Sequence, residues 1–329
     1  MSDLIAVTNL SKTFVKPLDL ASRLANLAGA QNMCTKVHAL DDVTLDIKQG
    51  EVLGIVGESG CGKSTLGRVL AGIHNPTKGQ VFWDGQDIST IDSKAKRQFQ
   101  LRSQMIFQDP SSSLNPRKRI EHAVSEAAVV HGVVDKNHAA EYADEMLRKV
   151  GFDHTQKDRY PHQFSGGQRQ RIGIARALAV QPRLLVCDES IAALDVSIQA
   201  QVINLFMDLK EQLGLTYAFI SHDLSVVRHI ADRVAVMYLG RVVEIGTRNE
   251  IFETPQHPYT KALLAETPQI ASGKRKFSPL MGEVPSPLNP PSGCHFHPRC
   301  SIASEECGKT RPSLSKNKVG TKSACILTY

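Results

Sequence analysis

The chain has 329 residues, room for about two domains at roughly 150 residues each and enough to bury a core without disulfide staples. With 41% hydrophobic and 22% charged residues it sits near the average for proteins that fold in water, which excludes a disordered chain, a collagen-like rod and a long coiled coil. Its net charge of +6 is a mild excess, compatible with contact to phosphate, nucleic acid or an anionic membrane face and proof of none.

No stretch reaches the roughly 18 consecutive apolar residues that a membrane-spanning helix requires. The start, MSDLIAVTNLSKTF, carries an acid at Asp3 and lacks the basic opening and long apolar run of a secretory signal, so a cytoplasmic chain is expected. Of seven cysteines, Cys34, Cys61 and Cys187 are scattered, while Cys294, Cys300, Cys307 and Cys325 crowd the tail. In a reducing compartment such a cluster points to metal rather than to disulfides.

In chain order, short strands are predicted at 5–7, 43–47, 52–56 and 80–83. Between Phe14 and His38 lies an insertion in which Leu20, Leu24 and Leu27 recur at spacings of four and three, as on one face of a short helix. From 93 to about 179 the pattern turns helical and polar. Apolar strands return at 183–187 and 216–220, each after a helical segment, an alternation that predicts a parallel sheet covered on both faces and interrupted by a helical insert. Beyond about Thr254 the composition shifts, and six prolines between 279 and 298 predict an extended connection.

Three segments carry chemistry. Residues 57–65, GESGCGKST, match G-x-x-x-x-G-K-[ST] between a strand and a helix. Gly57, Gly60 and Gly62 let the backbone curl with its N–H groups inward, Lys63 offers a mobile charge to the β- and γ-phosphates, and the Ser64 hydroxyl can reach Mg²⁺. Residues 184–189, LLVCDE, form a strand ending in two carboxylates: Asp188 suits Mg²⁺ held through water, and Glu189 suits accepting a proton from an attacking water. Two such acids also suit a solvated strand end or a helix cap. Residues 165–168, SGGQ, open an amphipathic helix and make a second anion-ready helix N-terminus.

Taken together, GESGCGKST, FSGGQRQR, LLVCDE, the AALD that follows it and ISHD resemble, in order and spacing over roughly residues 1–260, the nucleotide-binding subunit of ATP-binding cassette (ABC) transporters. The resemblance implies an α/β P-loop cassette with a mostly parallel core sheet, antiparallel N-terminal strands and a helical insert. It divides the chain into a nucleotide-binding domain at 1–253, its helical subdomain at about 93–179, and a C-terminal extension at 254–329. It also implies ATP and Mg²⁺ as cofactors. Ser59, Cys61 and Thr65 join the phosphate loop, Ser64, Gln108 and Asp188 the Mg²⁺ site, and Phe14 takes the place of the adenine-stacking aromatic, with a core aromatic as the other reading. Ser165, Gly166, Gly167 and Gln168 form the turn that closes on the nucleotide of a second subunit. Gln108 contacts the attacking water, His222 the γ-phosphate, Lys63 the transferring phosphoryl group, and Asp195 the dimer interface. Ser190 stands where the family usually has proline and Ala192 where it usually has serine.

The segment at 253–268, the run GEVPSPLNPPSGCHFHPRC and SSSLNPRKR after Gln108 resemble oligopeptide and dipeptide importers, most of all the second ATPase subunit of dipeptide permeases. That resemblance implies a paralogous ATPase, two membrane-spanning permeases and an extracytoplasmic peptide-binding protein as partners, no nucleic acid, and a peripheral position on the cytoplasmic face of the inner membrane. Nickel or antimicrobial-peptide import remains a neighbouring reading, and a soluble ABC protein acting on ribosomes or DNA a more distant one. The four tail cysteines suit a [4Fe-4S] cluster, which the related importers favour, a Zn²⁺ ion, or no metal; His295 and His297 read as surface residues, with substitute ligands as the other reading.

Overall fold

The computed structural model describes residues 2–17, 34–109, 114–266, 282–316 and 321–328. Its larger sheet has eight strands in the order β11-β12-β10-β9-β3-β8-β7-β6. The centre is parallel: β9 (Arg233–Tyr238), β3 (Val52–Val56), β8 (Thr216–Ile220), β7 (Leu184–Asp188) and β6 (Ser103–Ile106). One edge is antiparallel, formed by β10 (Arg241–Thr247), β12 (Lys322–Ser323) and β11 (Ser315–Lys316). The second sheet, β2-β1-β4-β5, is antiparallel and joins β1 (Asp3–Lys16), β2 (Thr35–Lys48), β4 (Lys78–Trp83) and β5 (Gln86–Asp87).

The continuous apolar runs of β3, β7 and β8 follow from burial on both faces, since neighbouring side chains on a strand point to opposite sides. Leu53, Ile55, Val186, Ala218 and Ile220 pack on one face with Leu66 and Val69 of α1 (Lys63–Leu70) and with the antiparallel sheet. Val52, Val56, Tyr217 and Phe219 pack on the other with Val202 and Phe206 of α6 (Val196–Leu213) and Val227 of α7 (Leu224–Ile230). Each such side chain contributes on the order of 2 kcal/mol of burial, which is why the sheet rather than its loops fixes the site.

The stretch expected to be helical holds α2 (Ser93–Arg102), α3 (Ile120–Val130), α4 (Ala139–Lys149) and α5 (Gly166–Leu178), together with the edge strand β6. Four residues are too few to show a period of two, so β6 leaves no pattern in the sequence. The antiparallel pair β9 and β10 likewise goes beyond the strands expected. β1 and β2 run for 14 residues each, well past the apolar cores at 5–7 and 43–47, because they pair with each other along their solvent-facing halves. Leu20, Leu24 and Leu27 lie outside the described residues, as do Ser111 to Ser113 and the prolines before 282.

Among its described residues the tail forms no hydrophobic cluster separate from the main core. After α8 (Arg248–Glu253) and α9 (Pro258–Ala265), Tyr259 and Phe296 enter the main core, their rings 4.7 and 5.2 Å from that of Tyr238. Lys322 and Ser323 then extend the sheet by pairing with Ile245 and Glu244.

Candidate nucleotide site at the strand ends

The carboxyl ends of β3, β8, β7 and β6 stand side by side, and the loops leaving them bring distant motifs together. After β3 the chain turns through Gly57 at φ 151°, Gly60 at 78° and Gly62 at 105° before α1 begins at Lys63. A Cβ on Gly57 would lie 2.2 Å from the Met237 carbonyl oxygen, and one on Gly62 2.4 Å from that of Ala39, so backbone alone fits there. The α1 N-terminus, with no acid in its first turn, faces the loop as an anion-binding end. Lys63 is buried, and its Nζ donates to the carbonyls of Gly57 at 2.8 Å and Glu58 at 3.0 Å. Ser59 and Gly60 are exposed at the loop tip, Ser64 and Thr65 are half-buried, and Cys61 is buried with its thiol pushed up by that burial.

Ser64 Oγ donates to Asp188 Oδ1 at 2.8 Å. Burial raises the Asp188 carboxyl above its usual range, and the Ser64 hydroxyl opposes that rise. The pair offers two hard oxygens at the foot of the loop, the donor type that Mg²⁺ takes. The next residue, Glu189, adopts a left-handed φ of 46°, rare for a residue with a Cβ, and its N–H donates to the Ile220 carbonyl at 3.0 Å. That turn swings its carboxylate toward the neighbouring loops. Gln108 Nε2, one loop over, donates to Glu189 Oε2 at 3.0 Å, and His222 Nδ1, beyond β8 on the other side, lies 3.5 Å from Glu189 Oε1. Ser190 is buried and Ala192 half-buried behind this turn.

Ser165 and Gln168 form a capping box at the start of α5: Ser165 Oγ accepts from the Gln168 N–H at 3.3 Å and Gln168 Oε1 accepts from the Ser165 N–H at 3.0 Å. Ser165 and Gly166 are exposed, whereas Gly167 is packed so that a Cβ would fall 2.4 Å from Ile198 Cγ2. Asp195 is exposed at the N-terminus of α6. Phe14 is 37% exposed with its ring edge-on to His74, so the core reading is excluded for it.

In the tail, Cys294, Cys300, Cys307 and Cys325 line one cavity with Phe296 and Leu327. Burial pushes the Cys294 and Cys300 thiols up, and the neighbouring thiols push them further. Among the described residues, however, no group of three or more His, Cys, Asp or Glu side chains is close enough together to share a metal ion. His295 is turned away from the thiols: its Nδ1 lies 3.0 Å from the Leu239 carbonyl and its Nε2 3.6 Å from Asp41. Two contacts that no motif announces reach the phosphate loop from this tail. Arg299 pairs with the Glu58 carboxylate and Tyr259 receives the Glu58 N–H, across 241 and 201 residues of sequence.

Residues 40–192 match the ABC transporter family, and residues 243–307 the C-terminal region of oligopeptide/dipeptide transporters. The dipeptide transport ATP-binding protein DppF of Haemophilus influenzae is 50% identical over 88% of this chain and 89% of its own. The oligopeptide transport ATP-binding protein AppF of Bacillus subtilis is 50% identical over 88% of this chain and 90% of its own. Among solved structures, cbiO1 from Clostridium perfringens, part of the ABC transporter complex cbiONQ, superposes with a TM-score of 0.64 at 28% identity, covering 78% of this chain and 93% of that one. The ATP-binding cassette MJ0796, solved as a post-hydrolysis dimer bound to ADP and Pi, gives 0.62 at 26% identity over 74% and 98%. Among the described residues no helix is long and apolar enough to cross a membrane. The chain belongs to the ABC transporter family, within it to the ATP-binding subunits of the oligopeptide and dipeptide transporters.

Proposed function

We propose that this chain hydrolyses ATP to drive the import of dipeptides or oligopeptides across a bacterial inner membrane. The observation that carries the reading is the meeting of Gln108 and His222 on the Glu189 carboxylate, one residue beyond the Ser64–Asp188 pair. Glu189 takes the proton of the attacking water, Gln108 and His222 orient that carboxylate and the water, and Lys63 holds the β- and γ-phosphates against the α1 N-terminus. Ser64, Asp188 and Gln108 would hold Mg²⁺, which when bound would supply charge neutralisation at the phosphates. Phe14, exposed on β1 of the antiparallel sheet, stacks on adenine.

One phosphate loop and one SGGQ turn make two half-sites that a single chain does not join. The turn at Ser165 to Gln168 closes on the nucleotide of a second subunit, and hydrolysis releases that closure. The partners are a paralogous ATPase, two membrane-spanning permeases and an extracytoplasmic peptide-binding protein, with this chain on the cytoplasmic face. The likeness to subunits named for dipeptide and oligopeptide transport, and to their C-terminal region, supports that cargo and those partners. The division into a cassette at 1–253, with its helical subdomain at about 93–179, and an extension at 254–329 belongs to the same proposal.

The finer reading of the tail is a metal site, a [4Fe-4S] cluster before zinc. Four thiols around one apolar cavity support it by donor type. Among the described residues they do not come close enough to form a ligating group, so no step of the mechanism runs through it. Detergent-solubilised membranes test the assembly: the chain is expected to purify with integral permeases, and its recovery with ribosomes instead would overturn the transport role.

A further inference from the structure

The N–H and the carboxylate of Glu58 in the phosphate loop are held from the C-terminal extension, and its carbonyl by the loop itself. Its carbonyl accepts from Lys63 Nζ at 3.0 Å. Its N–H donates to the Tyr259 hydroxyl at 3.0 Å. Its carboxylate receives both arms of the Arg299 guanidinium, Nη1 to Oε2 at 2.7 Å and Nη2 to Oε1 at 3.0 Å. The Arg299 side chain is only 5% exposed and Glu58 21%, so this is a paired, two-pronged, largely desolvated contact rather than a surface ion pair. Arg299 is fixed in turn by the Tyr238 hydroxyl at 3.4 Å and the face of that ring, and Tyr238 packs on both Tyr259 and Phe296.

An unpaired carboxylate at position 58 would set a negative charge in the loop that must receive a polyphosphate. We propose that Arg299, in the C-terminal extension, is a positioning residue for ATP binding, neutralising and holding Glu58 so that the phosphate loop accepts the nucleotide. The extension is then a determinant of nucleotide affinity and not only an appendage. This inference rests on the ATPase reading above.

The test uses the full chain and titrates ATP with Mg²⁺ by calorimetry, with steady-state turnover and thermal unfolding measured on the same samples. Arg299→Gln is expected to weaken ATP binding about tenfold, while turnover at saturating ATP stays within about twofold of the parent. Arg299→Lys, which keeps the charge without the fork, is expected to lose about threefold. Combining Glu58→Gln with Arg299→Gln removes the stranded carboxylate and is expected to recover most of the affinity, which a merely structural loss would not do. A folded Arg299→Gln chain that binds ATP as the parent does overturns the inference, and so does a double variant as weak as the single one. If Arg299→Gln does not fold, the lysine and double variants decide on the same terms. A parent chain that binds no ATP at all overturns the ATPase reading and this inference with it.

Discussion

His222 Nδ1 and Glu189 Oε1 lie 3.5 Å apart across the ends of two neighbouring strands, β8 and β7, with Gln108 donating to the other carboxylate oxygen from the end of β6. Three residues separated by up to 114 positions thus meet because their strands are adjacent and parallel and each lies in the loop just past a carboxyl end. The left-handed turn at Glu189 completes the arrangement by directing its side chain along the sheet edge rather than into the core.

If Glu189 is the general base, Glu189→Gln keeps ATP binding while turnover falls on the order of a thousandfold. Nucleotide titration together with phosphate release checks this. Unchanged turnover would remove Glu189 from that role.

Asp188 carries a cost of burial in its charged form. Its folded-state carboxyl lies above the usual range, so the charged group penalises the fold at neutral pH, and the penalty disappears as pH falls below the unfolded value near 3.8. Asp188→Asn is therefore expected to raise the melting temperature at pH 7 while Mg²⁺-dependent turnover drops on the order of a hundredfold. Thermal unfolding and ATPase assays on one preparation read both signs.

His257 caps α9, accepting from the Tyr259 N–H at 3.1 Å, and burial pushes its imidazole from 6.5 down to about 3, with Lys261 adding to the shift. The folded state keeps the ring neutral while the unfolded chain protonates it. Its stability contribution is thus complete above about pH 6.5 and is lost as pH falls toward about 3, at a slope of about 1.4 kcal/mol per pH unit. His257→Asn puts a side-chain oxygen in place of Nδ1 as the cap acceptor and is expected to flatten that acid limb in thermal melts between pH 7 and 4.

The tail thiols make a separate prediction. If the tail thiols hold the proposed cluster, protein purified without oxygen is brown and contains iron and acid-labile sulfide, lost on Cys307→Ser. A colourless, zinc-loaded chain would replace the cluster reading with zinc, and a metal-free chain would remove both.

The phosphate loop, the Asp188–Glu189 strand end and the capped SGGQ helix are legible in the sequence, because each is a contiguous strand-to-turn or turn-to-helix signal. The alternation of Val52 with Leu53 and of Tyr217 with Ala218 between opposite faces underlies the covered parallel sheet, whose apolar runs are equally legible. The features that leave no such signal are long-range or short. β6 has four residues, and the β9–β10 edge lies outside the strands expected. The pairing of Glu58 with Arg299 spans 241 residues without a spacing rule. Phe14 reads as an adenine-stacking or a core aromatic from the sequence, and its exposure removes only the core reading.

If a triphosphate held by Lys63 powers uptake, neutralising that one side chain abolishes transport. Initial uptake of a labelled dipeptide, measured in cells whose only copy of this chain carries Lys63→Met and in cells with the parent chain at equal abundance, tests this most directly. Uptake at the background of a deletion strain is the predicted result, and uptake within twofold of the parent would contradict it.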